Sequence, residues 1–308
     1  MPNSTLSSPQ HGAEIPFTSA RPFSQALQLT SSVAFCYNTI LLDWQGSIIV
    51  KNTDIDSSAS SAVAVTSACS TVRLAVVCPM ANEADCAEAF VRAVLLHCDA
   101  FQDVRFIAVV DRVSTDGTVD ILRVLAATEP RLHVVWAPDN TCVVDAYVRG
   151  YREALQWGAD WILEIDAGFS HDPNQMPAFF AQMAEGCDCV FGSRFARGGR
   201  ISDSSIRRRI VSQGGSFLAN LLLGTSLSDM TSGYELFSRS ALERVLAEGI
   251  QSKAHFFQTE IKFHCRNLRI GEVPIHYRMP SPRLRAGAVA EALGQLWRLF
   301  VRRVRGEA

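Results

Sequence analysis

The stretch WILEIDAGFSHDP, residues 161–173, begins as an almost continuous apolar run and then turns polar. Apolar runs of this length are typical of strands that are covered on both faces of a sheet. Glu164 and Asp166 share one face of such a strand, and a carboxylate at the carboxyl end of a central strand is costly unless it binds something. A metal, a nucleotide ribose or a loop amide would satisfy Asp166, and capping of the following loop is the alternative.

Four more apolar runs flank this stretch: RLAVVCP (73–79), VRFIAVVD (104–111), LHVVWAP (132–138) and CVFGSR (189–194). Helical patterns separate them at about residues 84–98, 117–128, 142–157 and 174–185. This alternation predicts an α/β fold with a doubly wound, mostly parallel sheet, whose ligands bind at the carboxyl ends of the strands. After residue 200 we expect a long helix, a turn-rich segment SDMTSGYELFS, two more helices and a late strand in RIGEVPIHYR.

The composition is that of an ordinary globular protein, with 308 residues, 48% of them apolar, and a formal net charge of -2. This charge gives no reason to expect nucleic acid as a partner, although arginines cluster in SIRRRIVS and LFVRRVRGEA. The nine cysteines have no repeated spacing and are expected to be reduced thiols. A buried strand explains Cys187 and Cys189 better than half of a zinc site does.

Composition and apolar patterning divide the chain into three segments. Residues 1–70 are rich in Ser, Thr and Ala and predict a poorly ordered extension, with a hairpin favoured around Gln45 and Gly46. We expect residues 71–285 to form the folded domain. Residues 286–308 predict a basic amphipathic helix, which either docks on its own domain or makes peripheral contact with a membrane surface. Because no run approaches the roughly 20 apolar residues of a membrane span and no leader pattern is present, we expect a cytoplasmic protein.

Polar residues gather where the first two strands end. Pro79, Asn82 and Glu83 follow the first strand, and Asp111 ends the second. Asp116 lies among hydroxyl residues at the start of the next helix, and such a helix N-terminus can receive a phosphate, although the spacing is not that of a Walker loop. Capping is the simpler explanation for each residue taken alone.

Taken together, these segments are more specific than any one of them. In chain order PMANE, VVDRVSTDGT, EIDAGFSHDP, FGSRFARGG, RRIVSQGGSFLAN, DMTSGYELF, FFQTEI and EVPIHYR resemble the family 2 inverting glycosyltransferases, most closely the dolichol-phosphate mannosyltransferase group. The resemblance spans about residues 72–280. It implies a GT-A fold, a GDP-mannose or UDP-sugar donor, a divalent metal and a polyprenyl-phosphate acceptor.

The resemblance assigns donor binding to the ends of the first two strands. Pro79, Asn82 and Glu83 match the family's PTYNE, and Asp111 matches the first aspartate of its DDGS. Asp116, in the same loop as Asp111, is assigned to the nucleotide with them. The altered segment APDNTCVVDAYVRG does not distinguish a GDP-sugar from a UDP-sugar.

The metal motif departs from the family pattern. Asp166 matches the first aspartate of DAD, which holds metal and diphosphate, whereas Gly168 replaces the second and Ser170 stands where some relatives offer a side-chain oxygen. Because Mg²⁺ often uses one or two carboxylates with phosphate oxygens and water, we still expect a weak Mg²⁺ or Mn²⁺ site at Asp166 and Ser170. Asp172 would contribute after a loop movement. Alternatively, Arg112, where a second aspartate is usual, neutralises the diphosphate without metal.

On the acceptor side, Arg194, Arg208 and Ser212 match the positions that hold a lipid phosphate. Arg208 and Ser212 are four residues apart and project from one side of a helix, although a solvated face is the ordinary explanation of an arginine run. Such a phosphate is already largely ionised at neutral pH, so transfer of a sugar to it needs no strong base. Catalysis then rests on positioning and on charge stabilisation by Asp166, Arg194 and Arg208.

Three functions remain open from the sequence: transfer to a polyprenyl phosphate, transfer to a saccharide or other hydroxyl, and nucleotide-sugar binding without catalysis. A hydroxyl acceptor would need a base, and Asp229 of DMTSG or Glu260 of QTE would be the candidate. The missing second carboxylate at Gly168 is the main sequence argument for the non-catalytic alternative. Glu235 also departs from the family, because an arginine usually follows SGY.

Overall fold

The structure is a computed structural model that describes residues 40–42, 48–50, 65, 67, 69–202, 206–278 and 287–307. Most of the predicted extension, residues 1–70, lies outside the described residues. Within it, β1 (Ile40–Leu42) and β2 (Ile48–Val50) pair antiparallel, with Leu41 opposite Ile49, in agreement with the hairpin expected around Gln45 and Gly46. This hairpin belongs to a separate unit that ends at Thr53.

The second unit begins with the predicted alternation of strands and helices. Its first elements are β3 (Arg73–Pro79), α1 (Ala87–Leu96), β4 (Asp103–Val110), α2 (Thr118–Ala126), β5 (Leu132–Trp136), α3 (Val143–Trp157), β6 (Trp161–Glu164), α4 (Met176–Ala184) and β7 (Cys189–Ser193). The remaining elements are β8 (Arg200–Ile201), α5 (Ile206–Leu223), β9 (Glu235–Ser238), α6 (Arg239–Glu248), α7 (Phe257–Cys265), β10 (Ile270–Pro274), β11 (His276–Tyr277) and α8 (Ala288–Val304).

Seven strands form one sheet in the order β10-β7-β9-β6-β3-β4-β5. Only β9 runs antiparallel to its neighbours among the described strands of this sheet. The chain moves outward through β4 and β5 and then returns to place β6 beside β3, so the strand order reverses between β3 and β6. Ligands of open α/β sheets bind at such a reversal, beyond the carboxyl ends of the strands. The predicted doubly wound α/β fold is confirmed.

Helices cover both faces of this sheet with separate apolar layers. One layer contains Phe90 of α1, Leu122 of α2 and Phe179 of α4. The other contains Tyr151 of α3 and Leu296 of α8, together with residues of α6 and α7. Strands buried on both faces explain why β3, β4 and β7 read as continuous apolar runs.

Three expectations about local structure need correction. The segment SDMTSGYELFS was read as turn-rich, but its second half is β9, a central strand in which Glu235, Leu236 and Phe237 are buried. The strand that opens WILEIDAGFSHDP ends at Glu164, so Asp166 lies two residues beyond it in the following loop. The late strand expected in RIGEVPIHYR is divided at Ile275 into β10 and β11, and β11 pairs with β8 outside the main sheet.

The two predicted domain boundaries are only partly visible in the structure. Cys69 is buried and Val65 packs against the same apolar layer, so the core reaches a few residues before position 71. At the other end, the amphipathic helix predicted in residues 286–308 is present as α8, and Leu296 and Leu299 are buried on the domain. In the described part of the chain, no helix has the length and apolar character needed to cross a membrane.

Candidate active site

Asp166 lies where the carboxyl ends of β3 and β6 meet, and its side chain is 40% exposed. The hydroxyl of Tyr147, on α3, donates a hydrogen bond to Asp166 Oδ1. The backbone N–H of Asp166 donates to Nδ1 of His171 at 3.3 Å. These three residues form the Asp166 cluster, which holds one carboxylate with an open side toward a cavity.

His171 acts in this cluster as a neutral ring. Burial lowers its pKa, and Nδ1 accepts a hydrogen bond, so the ring proton is on Nε2. The ring stacks on Tyr234, with centroids 4.9 Å apart, and it borders the cavity. The phenol of Tyr147 therefore orients the carboxylate of Asp166, and an imidazole whose orientation is fixed by packing holds its backbone N–H.

A buried polar network lies beneath the Asp166 cluster. Glu164 accepts hydrogen bonds from Tyr151 and Gln258, and burial, together with the charge of Glu235, raises the pKa of Glu164 well above its ordinary value. Glu235 pairs with Lys262, whose side chain is fully buried. The glutamate that follows SGY is thus balanced by a lysine from α7. Tyr147 and Tyr151 are one turn apart on α3, so Asp166 and Glu164 face the same helix.

The loops that follow β3 and β4 are joined to each other by side chains of the predicted donor site. Asn82 Nδ2 donates to the carbonyl of Val113 at 3.0 Å, and Asn82 Oδ1 accepts from the N–H of Thr115 at 3.0 Å. Asp116 accepts from the N–H of Ala84 at 2.9 Å. Asn82 and Asp116 therefore hold these two loops together and shape the crevice between them. Contact of either side chain with a nucleotide is still a prediction.

The other predicted donor residues stand at the rim of the same crevice. Asp111 Oδ1 accepts from the N–H of Val113 at 3.0 Å, which leaves its other oxygen without a hydrogen bond from the described residues. Pro79 is the last residue of β3. Arg112 is exposed in the turn after Asp111. The structure thus brings Pro79, Asn82, Glu83, Asp111, Asp116 and Asp166 to one edge of the sheet.

The donor atoms at this edge suit a divalent ion that takes most of its ligands from phosphate and water. Within the described residues, no group of three or more Asp, Glu, His or Cys side chains encloses a metal position. Ser170 Oγ donates to the carbonyl of Ala167 at 3.2 Å, and Asp172 pairs with Arg278 and caps Asn174. The predicted roles of Ser170 and Asp172 as ligands therefore lack support in this loop conformation, whereas Asp166 offers an oxygen toward the cavity.

Gly168 leaves a space that another carboxylate fills. Its φ is +74°, and a Cβ at this position would lie 2.8 Å from Oε2 of Glu83. The carboxylate of Glu83 therefore lies against the space that a side chain at residue 168 would enter. This observation is compatible with a metal that is bound by two carboxylates and phosphate oxygens.

On the opposite side of the cavity, Arg194 is fixed by Asp229. Arg194 Nε and Nη2 donate to the two oxygens of Asp229 at 2.7 and 2.8 Å, and Nη2 also donates to Thr231 Oγ1 at 2.5 Å. Ser212 Oγ lies 3.5 Å from Nη2. Arg194, Asp229, Thr231 and Ser212 form the Arg194 cluster. Arg208 is on α5 with Ser212, but its side chain lies outside the described residues.

The alternative role of Asp229 or Glu260 as a base finds no geometric support. Asp229 is fully buried, and although burial raises its pKa, the hydrogen bonds and charge of Arg194 outweigh this effect and lower the pKa below the ordinary value. Glu260 is also fully buried, where it accepts hydrogen bonds from Ser252 and pairs with Arg298 of α8. Neither carboxylate borders the cavity. Asp229 instead positions Arg194, and Glu260 ties α7 to α8.

One cavity of about 370 Å³ connects the two clusters. Its polar wall contains Tyr147, Asp166, His171, Arg194, Ser212 and Thr231. Its apolar wall contains Val211, Leu218 and Ala219 from α5 and Val289, Leu293 and Leu296 from α8. Leu218 is six residues beyond Ser212, or roughly 9 Å along a helix axis, so the apolar wall extends well away from the guanidinium.

Sequence reasoning missed Tyr147 and His171. His171 lies in the quoted GFSHDP segment, so its place beside Asp166 was a usable signal. Tyr147 lies 19 residues before Asp166, and only the packing of α3 on the sheet brings the two together. The cysteine prediction holds for the described part of the chain, in which all eight cysteines are free thiols and Cys189 is buried in β7.

The sheet order, with polar clusters at the carboxyl ends of β3, β4 and β6, is that of the GT-A fold. Residues 75–246, more than half of the chain, match the family model for glycosyl transferase family 2. The chain belongs to that family and is a glycosyltransferase. The resemblance to family 2 drawn from the motifs is confirmed.

Individual relatives narrow the comparison. An undecaprenyl-phosphate mannosyltransferase of Micrococcus luteus is 33% identical over 192 residues, which are 61% of this chain and 79% of that protein. A polyprenol monophosphomannose synthase of Mycolicibacterium smegmatis is 31% identical over 174 residues, 56% of this chain and 66% of that protein. The chain thus spans just under two thirds of the second relative.

Solved structures share the fold at lower identity. Glucosyl-3-phosphoglycerate synthase of Mycobacterium tuberculosis, crystallised with Mn²⁺, UDP and glucosyl-3-phosphoglycerate, superposes with a TM-score of 0.57 at 18% identity, covering 78% of this chain and 82% of that one. The complex of the same enzyme with Mn²⁺, UDP-glucose and phosphoglyceric acid gives a TM-score of 0.58. At this identity the likeness concerns the fold alone.

Proposed function

We propose that this chain transfers a sugar from a nucleotide-sugar donor to a polyprenyl phosphate, with inversion at the anomeric carbon. The observation that carries the proposal is the shape of the cavity, which joins the Asp166 cluster, the Arg194 cluster and an apolar wall between α5 and α8. A prenyl phosphate combines an anionic head with an apolar chain, and this cavity offers a guanidinium beside apolar side chains. The names of the two curated relatives point to the same acceptor class.

We place the donor diphosphate at the Asp166 cluster. We place its nucleoside in the crevice formed by Pro79, Asn82, Glu83, Asp111 and Asp116. A divalent ion bound with the diphosphate would neutralise its charge and help the nucleoside diphosphate leave. Asp166 is the protein ligand best placed to hold that ion, because Tyr147 orients its carboxylate and His171 holds its backbone N–H. Either Mg²⁺ or Mn²⁺ satisfies this role.

The acceptor phosphate is placed at the Arg194 cluster. Nη1 of Arg194 donates no hydrogen bond to a described residue, so it is the donor that remains for a phosphate oxygen. Asp229 neutralises the charge of Arg194, and a second cation is therefore required. Arg208, one turn before Ser212 on α5, is the proposed second cation. The anionic oxygen of the phosphate attacks the sugar without a protein base.

A hydroxyl acceptor is less well supported, because Asp229 and Glu260 are both buried and paired. Within the described residues, Asp166 is the carboxylate that borders the cavity. We assign it to the donor, so an alcohol would lack a base. The cavity therefore favours an acceptor that is already ionised.

We also propose peripheral contact with the cytoplasmic face of a membrane. Val289, Leu293 and Trp297 of α8 are at least half exposed, and Phe217 and Leu221 of α5 are more than 60% exposed. Exposed apolar side chains on two helices that share the cavity wall would bring its mouth to the lipid surface. Flotation with anionic lipid vesicles tests this contact, and a protein that stays at the bottom of the gradient would contradict it.

The decisive test is a transfer assay with purified protein. GDP- and UDP-sugars with a radiolabelled sugar are offered with undecaprenyl or dolichyl phosphate, in Mg²⁺, Mn²⁺ or EDTA. We expect a labelled lipid product with one donor and a loss of product in EDTA. Hydrolysis or binding of a donor without lipid product would contradict the assigned acceptor. Undiminished turnover in EDTA would contradict the proposed need for a divalent metal.

A further inference from the structure

We propose that Glu83 supplies the second carboxylate of the divalent-metal site, in the space that Gly168 leaves beside Asp166. The inference rests on the proposed function, because it presumes a donor diphosphate that is bound with a metal. It assigns to Glu83 a role that differs from contact with the nucleoside, and it explains how a chain with DAG in place of DAD retains two carboxylates at the metal.

A Cβ at Gly168 would lie 2.8 Å from Oε2 and 3.3 Å from Oε1 of Glu83, so the end of the Glu83 side chain would have to move to admit a side chain at residue 168. The carboxylate of Glu83 therefore occupies the volume of an absent side chain.

Hydrogen bonds hold Glu83 in place before any ligand binds. Its backbone N–H donates to Thr118 Oγ1 at 2.8 Å, and its carbonyl accepts from the N–H of Ala87 at 2.8 Å at the start of α1. Cys86 Sγ donates to Oε2 at 3.2 Å. Oε1 accepts no hydrogen bond from the described residues, so one oxygen of a fixed carboxylate is free to coordinate.

The carboxylates of Asp116 and Asp166 are close enough to Glu83 for their negative charges to act on its carboxylate. Glu83 and Asp166 therefore repel each other across Gly168. A divalent cation between two such carboxylates relieves the repulsion, and oxygen donors are what Mg²⁺ and Mn²⁺ prefer.

Binding of Mn²⁺ in the presence of GDP or UDP, followed by the electron paramagnetic resonance signal of free Mn²⁺, tests the role of Glu83 without any sugar transfer. Glu83→Gln keeps the size of the side chain, and we expect it to weaken Mn²⁺ binding at least about tenfold. Asp85→Asn removes a carboxylate two residues away on the exposed surface and should bind Mn²⁺ like the wild type. Circular dichroism checks that each variant is folded.

A carboxylate exchange makes the test sharper. Gly168→Asp alone should gain nothing, because its Cβ would meet Glu83. The double variant Glu83→Ala with Gly168→Asp should recover most of the Mn²⁺ affinity that Glu83→Ala loses, since aspartate tolerates a positive φ better than most residues. Recovery would show that one carboxylate at this place is what the metal needs.

The outcomes separate this inference from the proposed function. Wild-type affinity in Glu83→Gln would overturn the role of Glu83, and so would a wild-type protein that binds no Mn²⁺ with nucleotide, even if lipid product forms. A loss of Mn²⁺ in Glu83→Gln, with recovery in the exchange variant, supports the role. If the same wild-type preparation makes no lipid product, the acceptor is wrong while the role of Glu83 stands.

Discussion

The Asp166 cluster and the Arg194 cluster face the same cavity, yet their charges are treated in opposite ways. Asp166 is 40% exposed, and among the described residues only the neutral hydroxyl of Tyr147 donates a hydrogen bond to its carboxylate, so its negative charge is available to a ligand. Arg194 is 12% exposed, and the fully buried Asp229 cancels its charge. The neighbours of a carboxylate, rather than its place in a motif, therefore decide whether it meets a ligand or positions another side chain.

Replacing the available carboxylate should have the largest effect on transfer. In Asp166→Asn we expect kcat/KM to fall by roughly 10³-fold, the upper range for losing one preorganised charge-stabilising group. Initial rates of sugar transfer measure this. Asp103→Asn, at the opposite end of the sheet, is the matched control and should keep wild-type rates. A loss below tenfold in Asp166→Asn would place the donor elsewhere.

Replacing the cancelled carboxylate should act on stability as well as on activity. Asp229→Asn leaves the buried guanidinium of Arg194 without its partner, and we expect a loss of roughly 3 to 5 kcal/mol in the free energy of unfolding. Urea denaturation at pH 7 measures it. Asp166→Asn should lose far less stability, and equal losses in the two variants would break the comparison between the clusters.

The pH dependence of this stability has a defined sign. The pKa of Asp229 is lowered in the folded protein, where the hydrogen bonds and charge of Arg194 outweigh burial. Its contribution is therefore fully present above the unfolded pKa of about 3.9 and is lost as the pH falls through the folded pKa. The stability gap between wild type and Asp229→Asn should be constant from pH 7 to 5 and should shrink in stronger acid. A gap that widens in acid would contradict this assignment.

The hydroxyl of Tyr147 should matter less than the carboxylate that it orients. Tyr147→Phe removes one hydrogen bond to Asp166, and such a bond to a charged group is worth about 1.5 to 3 kcal/mol. We expect kcat to fall roughly tenfold or more, with the KM for the lipid acceptor unchanged. A change confined to the acceptor KM would mean that Tyr147 serves the Arg194 cluster instead.

The smallest effect is expected on the apolar wall. Leu293→Gln should raise the KM for undecaprenyl phosphate by several-fold, because part of one leucine contact of about 1.5 to 3 kcal/mol is lost. A prenyl phosphate too short to reach α8 should be unaffected. Val124→Gln, which changes a side chain 73% exposed on α2 remote from the cavity, is the control. Equal effects on long and short acceptors would remove the wall from the acceptor site.

Much of the fold was readable because strands buried on both faces are apolar throughout. The predicted bounds of β3, Arg73–Pro79, agree with the structure. Strand β9 was missed because its approach, SDMTSGY, is rich in turn residues, and only burial between β6 and β7 makes ELFS a strand. Local composition was overruled there by tertiary pairing.

The site was predictable where its residues stand in motifs and opaque where contacts cross the fold. The motif identified Asp166 and Arg194 as candidates, but Asp229 lies 35 residues after Arg194, and no pattern shows that the two are paired. The contact of Glu83 with the space at Gly168 likewise depends on how two loops meet. Sequence reasoning therefore found the participants, and the structure was needed to distinguish ligands from positioning residues.

The most direct test of the central claim, that one cavity joins a sugar donor to an ionised prenyl acceptor, compares undecaprenyl phosphate with undecaprenol. Purified protein receives each acceptor with the same labelled donor and Mn²⁺, and kcat/KM is measured for both. We expect lipid product only with the phosphate, because neither Asp229 nor Glu260 is free to act as a base. Comparable transfer to the alcohol would contradict the assignment of the acceptor to the Arg194 cluster.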